Sequence, residues 1–243
     1  MLGIPNTPHT PINHIWISGC IVELLKAILF DLDGTLTRFQ INYIAAAEEA
    51  VRILRKYGLK DIDLAGGTSI YLALKQAKPR LKKEDYEKLK QEMYRLLEEV
   101  EVKAAAKVQP NPKVKEVLTS IKQMGVKLGL VSNNGRASVE LSLKRMQLKE
   151  LFDAITTRDD CEELKPDTGG IKKTLEELGV GVEEAVFVGD GVYDVAAAKA
   201  LGVVSIAVPT GQSSIRRLVE AQPDYLINSI QNLPDLLKTL EKP

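Results

Sequence analysis

The decisive stretch is Lys26-Ala27-Ile28-Leu29-Phe30, which runs straight into Asp31-Leu32-Asp33-Gly34-Thr35-Leu36. A short apolar run bounded by turn residues is what a strand buried on both faces looks like. The carboxylates at its end stand where parallel sheets hold their ligands. The pattern recurs downstream at 126–131, 154–156, 185–188, 203–208 and 225–227. Between these runs apolar residues fall three and four apart, over 113–124, 170–178 and 194–201. Each helical stretch meets a glycine (Gly125, Gly179, Gly202) where a C-cap favours one. Alternating strand and helix with short links predicts an α/β fold, a three-layer Rossmann-like parallel sheet core.

The interval 39–107 has helical periodicity and no strand pattern. Residues 43–57 read as one amphipathic helix ending at Gly58, and 84–107 as another, rich in Lys and Glu on its solvated face. At about 70 residues it is too long for a crossover, so it predicts a small inserted α-helical domain. Gln109-Pro110-Asn111-Pro112 marks the return to the core. The expected division is an N-terminal extension over 1–22, an α/β core over 23–38 and 108–243, and the helical insertion over 39–107.

Composition excludes several classes. Lys+Arg and Asp+Glu both number 33, so the net charge is zero. A nucleic-acid partner would call for a basic excess. No apolar run approaches the roughly 20 residues a membrane span needs. Residues 1–14 carry three prolines and no Lys or Arg, unlike a signal peptide. Cys20 and Cys161 are too few and too far apart for a disulfide framework or a zinc site, so a reducing cytoplasm is expected. The two histidines, His9 and His14, lie in the extension, which leaves poor material for histidine chemistry. Monomer and homodimer are both compatible with the chain.

The strand ends carry the chemistry. The first delivers Asp31 and Asp33; the second delivers Ser132, Asn133 and Asn134; the fourth delivers Gly189-Asp190-Gly191, with Asp194 one helical turn on. Lys165-Pro166 is expected to open the helix after the third. Four acids on one rim would repel one another without a cation, and an oxygen-only set favours Mg²⁺. Such a site suits phosphoryl transfer. Asp31 is the candidate nucleophile. Asp33 is the candidate acid for the leaving alcohol and then the base for water. Ser132 and Lys165, with Thr35 and Asn133, are the expected contacts for the phosphate. Asp31, Asp33 and Asp190 are the expected metal set, with Asp194 as a ligand or as an anchor behind one.

Taken singly, these motifs have ordinary explanations as turns and helix caps; their joint order at successive strand ends does not. Gly66-Gly67-Thr68-Ser69 reads better as a turn with an N-cap than as an anion cradle, and Cys161 as inert. Lys78, Arg80 and Arg95 read as solvated, and Arg136 as equally placed to meet the phosphate or not.

The motifs Asp31-Leu32-Asp33-Gly34-Thr35-Leu36, Val131-Ser132-Asn133, Lys165-Pro166-Asp167 and Gly189-Asp190-Gly191-Val192-Tyr193-Asp194 resemble, in order, those of the haloacid dehalogenase-like hydrolases. The insertion and the tail Pro223-Asp224-Tyr225-Leu226-Ile227-Asn228-Ser229 resemble the phosphoglycolate phosphatase-like members. The resemblance implies a Mg²⁺-dependent phosphatase acting on a small phosphorylated metabolite through an aspartyl-phosphate. It also implies a metal contact from the Asp33 backbone carbonyl and a cap that closes over the core. A sugar-phosphate mutase or a pyrophosphatase on the same core is the alternative; a phospho-acceptor signalling domain fits less well, being shorter and uncapped.

Overall fold

The computed structural model describes residues 25–39, 41, 43–64 and 69–240. The extension over 1–22, with His9, His14 and Cys20, lies outside the described residues, as do Gly66, Gly67 and Thr68. Six parallel strands form one sheet: β1 (Ala27–Phe30), β2 (Lys127–Val131), β3 (Ala154–Thr156), β4 (Ala185–Gly189), β5 (Val204–Ala207) and β6 (Tyr225–Leu226). Their order is β3-β2-β1-β4-β5-β6, so the first strand is central.

Alternation along β1 builds the two flanking layers. Ile28 and Phe30 pack with Val117, Leu118 and Ile121 of α4 (Val114–Gln123), Val139 and Leu143 of α5 (Arg136–Met146), and Leu236 and Leu237 of α9 (Leu233–Leu240). Ala27 and Leu29 face the other way, onto Ile171 and Leu175 of α6 (Gly169–Leu178) and Ala197 and Ala198 of α7 (Val192–Leu201). Every β1 residue is fully buried, hence its unbroken apolar run. A short helix, α8 (Ile215–Ala221), precedes β6. Helices α6 and α7 end at Gly179 and Gly202 in left-handed conformation.

Of the helices between β1 and β2, three precede α4 and form the insertion: α1 (Tyr43–Lys56), α2 (Ile70–Ala77) and α3 (Lys83–Ala105). They share a hydrophobic cluster separate from the two that sandwich the sheet, including Leu54, Leu74, Leu89 and Met93. Helix α3 also packs along α5. The two ends of the insertion run side by side: Arg38 N–H donates to the Gln109 carbonyl at 2.9 Å and Asn111 N–H to the Leu36 carbonyl at 2.8 Å. The Asn111 side-chain amide donates to the carbonyls of Gly34, Thr35 and Thr37 at 3.3, 2.9 and 3.0 Å. Among the described residues no helix is long and apolar enough to cross a membrane.

Candidate active site

Register makes the site. Phe30 pairs with Leu130 on one side and Val188 on the other, so β1, β2 and β4 end within one residue of the same level, β2 and β4 running one residue further. The next residues, Asp31, Ser132 and Asp190, therefore emerge together around a cleft of about 280 Å³. Asp194 joins them from the first turn of α7, where its Oδ2 accepts from the Gly191 N–H at 2.8 Å. One carboxylate oxygen from each of Asp31, Asp190 and Asp194 lies within 4.8 Å of the other two, and all three residues are buried.

Lys165 reaches this cluster from the loop before α6. Its buried Nζ contacts Asp31 Oδ1 at 2.5 Å and Asp194 Oδ1 at 2.7 Å, and donates to the Val131 carbonyl at 3.0 Å. The ammonium contacts two of the three buried carboxylates, so with all three ionised the cluster would carry excess negative charge. Loss of water pushes the Asp31 carboxyl up to about 7; Lys165 opposes this and Asp194 adds to it. Burial, then Asp31 and Asp194, push Asp190 well above the usual carboxylate range. Lys165 is held more firmly protonated by Asp194 and Asp31, despite its burial. A hard divalent ion bound through oxygen would remove the imbalance, and a site of carboxylates without His or Cys fits Mg²⁺.

The Asp190 carboxylate is enclosed by two glycines. A Cβ on Gly34, whose φ is +92°, would lie 2.7 Å from Asp190 Oδ2 and 2.7 Å from Gly211 Cα. A Cβ on Gly211 would fall 1.7 Å from the same oxygen. Asp190 Oδ2 accepts from the Gln212 N–H at 3.2 Å, and Thr210 Oγ1 donates to the Gly34 carbonyl at 2.6 Å. This loop after β5 is missing from the sequence reading, although the strand-end rule that singled out Asp31 and Asp190 applies equally to Thr210-Gly211-Gln212.

Several expected roles change. Thr35, expected at the phosphate, is fully buried and gives its hydroxyl to Asp190 Oδ1 at 3.3 Å. Asn133 lines the cleft, but its amide is engaged with the Lys165 backbone: Nδ2 donates to the carbonyl at 2.8 Å and Oδ1 accepts the N–H at 3.0 Å. It holds the lysine loop. The Asp33 side chain lines the same cleft but stands outside the three-carboxylate group, accepting from Thr37 Oγ1 at 3.1 Å and from Asn134 Nδ2. Asp33 is therefore not a side-chain member of the three-carboxylate set. Burial raises its carboxyl against the pull of those two hydrogen bonds. Lys165-Pro166 stands ahead of α6, which begins at Gly169. Arg136 is spent on Asp160 and the Ile155 carbonyl, away from the cleft.

Ser132 lines the cleft, and its Oγ accepts from the Asn134 N–H at 3.2 Å, leaving the hydroxyl proton to donate. Ser69 caps α2, accepting from the Leu72 N–H at 3.3 Å. Arg80 pairs on the surface with Asp61. The Cys161 thiol is half-buried and raised by that burial, as an inert thiol would be.

Each of the three inserted helices contacts the rim. Tyr43 of α1 donates to Asn134 Oδ1 at 3.4 Å. Tyr71 and Lys75 of α2 reach Asp167 Oδ2 at 2.5 and 2.6 Å. Glu101 of α3 is paired with Arg158, just past β3, at 2.6 and 3.0 Å, and accepts the Gly135 N–H at 3.0 Å. Asn134, Glu101 and Arg158 have no role in the sequence reading. Asn134 stands beside the favoured Asn133, and only the direction of each side chain separates them.

A family model described as haloacid dehalogenase-like hydrolase matches residues 28–208. The chain is 31% identical to "Putative pyrophosphatase PpaX" of Caldanaerobacter subterraneus subsp. tengcongensis over 88% of its own length and 95% of the relative's. Among solved structures, a hydrolase from Pseudomonas syringae superposes with a TM-score of 0.66 at 21% identity, covering 88% of this chain and 98% of the other. A predicted phosphoglycolate phosphatase from Haemophilus somnus gives 0.61 at 22% identity, covering 88% and 98%. Both structures share the fold. The extent of the family match, over a central strand that ends in Asp31 and a sheet that gathers Asp190 and Lys165 beside it, makes this chain a member of the haloacid dehalogenase-like hydrolase family.

Proposed function

We propose that the protein is a Mg²⁺-dependent phosphatase that hydrolyses a small phosphate monoester through an aspartyl-phosphate on Asp31. The observation that carries this reading is the three-carboxylate cluster of Asp31, Asp190 and Asp194 closed by the Lys165 ammonium. Asp31, Asp190 and Asp194 would hold Mg²⁺, which when bound neutralises charge on the phosphate and on the carboxylates around it.

The chain's own groups then have distinct tasks. Asp31 attacks phosphorus, forming the acyl-phosphate bond as the ester P–O bond breaks. Asp33, whose carboxyl burial keeps protonated more readily than usual, gives its proton to the leaving oxygen. As a carboxylate it then takes a proton from the water that cleaves the aspartyl-phosphate, which frees inorganic phosphate and restores Asp31. Ser132 donates its hydroxyl proton to a phosphoryl oxygen, and Lys165 offsets the charge that builds up there. The helices of the insertion serve as the cap that screens the site from bulk water.

The test is phosphate release from a panel of phosphorylated metabolites, with and without Mg²⁺, beside Asp31→Asn. Turnover is expected to need the ion and to vanish in the variant; activity that survives both changes refutes the assignment. The name of the PpaX relative favours a second reading, pyrophosphate hydrolysis on the same residues.

A further inference from the structure

We infer that the leaving group is an uncharged alcohol carrying an aromatic ring, seated in the cavity between the inserted helices and the sheet; this deepens the phosphatase reading and rests on it. That cavity measures about 590 Å³ and adjoins the acidic cleft, with Tyr43, Asn133, Asn134, Tyr193 and Gln212 bordering both. A molecule whose phosphate lies beside Asp31 therefore extends into it. The volume is that of pockets for small organic molecules, far more than one leaving phosphate fills.

The walls favour a ring. Val51, Leu64, Ile70 and Leu97 supply aliphatic surface, and Tyr71 and Tyr94 supply aromatic surface. Burying an apolar ring against them is favourable, and ring-on-ring contact adds to it.

The charges disfavour an anion. Arg158 is the one Lys or Arg among the described residues lining the cavity. Its Nη1 and Nη2 face the Glu101 carboxylate at 2.6 and 3.0 Å, Nη1 also donates to the Asn133 carbonyl at 3.1 Å, and its guanidinium lies 4.9 Å from the Tyr94 ring centre. Its charge is thus offset by Glu101, and only its buried Nε is left without a hydrogen-bond partner, a single donor with no net charge to offer an anion. Glu48 also lines the cavity, so the carboxylate of a glycolate or a leaving phosphate would sit beside further negative charge with no positive partner. Arg217 lines the cleft, but it is exposed there and does not reach the cavity wall.

The experiment measures kcat/KM of the full chain with Mg²⁺ on phenyl phosphate, a nucleoside 5′-monophosphate, glycerol 3-phosphate, pyrophosphate, 2-phosphoglycolate and acetyl phosphate. At least one ring-bearing ester is expected to exceed pyrophosphate, 2-phosphoglycolate and glycerol 3-phosphate by about tenfold or more. Preference for any of those three overturns the inference; an anion preference would assign the second charge to Arg217. Acetyl phosphate, whose acetate is too small to use the cavity, keeps the two readings distinguishable. Turnover of acetyl phosphate with no ring preference removes the cavity assignment alone. No turnover of any compound removes the phosphatase reading and this inference with it.

Discussion

Replacing Arg158 with Met should be the most damaging single change outside the acidic cluster. The Arg158 and Glu101 side chains are 2% and 1% exposed, so neither charge can turn to water when its partner goes. Arg158→Met removes both contacts to the Glu101 carboxylate and leaves it only the Gly135 N–H. Two unit charges about 4 Å apart at an effective dielectric of about 20 attract by about 4 kcal/mol. Breaking one partner of a buried pair costs about 3–5 kcal/mol, and we expect about 4. Urea unfolding with a slope of about 2–3 kcal/mol per molar would show the midpoint falling by roughly 1.5 M. The double variant Arg158→Met with Glu101→Met should recover more than half of the loss, because no charge is stranded. It should not recover all of it, since Gly135 N–H and the Asn133 carbonyl each lose a partner. A single-variant loss below about 1 kcal/mol, or a double variant no more stable than the single, would refute the reasoning.

Three further outcomes follow from the site. Asp33→Asn should lower kcat by about 10²- to 10⁴-fold in steady-state assays while leaving the Mg²⁺ dependence in place; unchanged kcat would move the proton transfer to another group. Gly211→Ala should displace the Asp190 carboxylate, which a Cβ would meet at 1.7 Å, and so weaken Mg²⁺ binding. Thermal melts against Mg²⁺ concentration would check this, and an unmoved titration would contradict it. In chelator, the native Asp31 carboxyl holds its proton up to about 7 while the unfolded chain ionises near 3.8, so its contribution to stability should fall as pH rises between those values and level off above. The lowered carboxyls Asp153 and Asp160 act with the opposite sign, below 3.8 and outside that window. Melts from pH 4 to 8 should show the decline flattened in Asp31→Asn, and an equal slope in both proteins would count against it.

The sheet was legible because a parallel strand covered on both faces must be apolar throughout, as Ala27–Phe30 is. Asp31, Asp190 and Lys165 were legible because each follows or precedes an element whose end is marked in the sequence. The supporting residues were not. Asn133 and Asn134 are neighbours of one type, and only backbone direction sends one to Lys165 and the other to Asp33. Thr35 sits in a motif that touches the site, yet its hydroxyl points inward to Asp190. Glu101 and Arg158 lie 57 residues apart in elements that meet only when the insertion packs on the sheet, and no local periodicity links them. Glu101 even sits on a helix whose Lys and Glu content reads as solvent-facing.

The paired ends of the insertion have an evolutionary consequence. Because Arg38 and Gln109 meet, and Asn111 ties the returning segment to the turn after β1, the chain enters and leaves the helical lobe through one narrow stem. Such a stem lets descendants exchange, enlarge or trim the appendage while the catalytic floor keeps its register. The partners to re-match in a graft would be few and identifiable, beginning with whatever residue must answer Arg158.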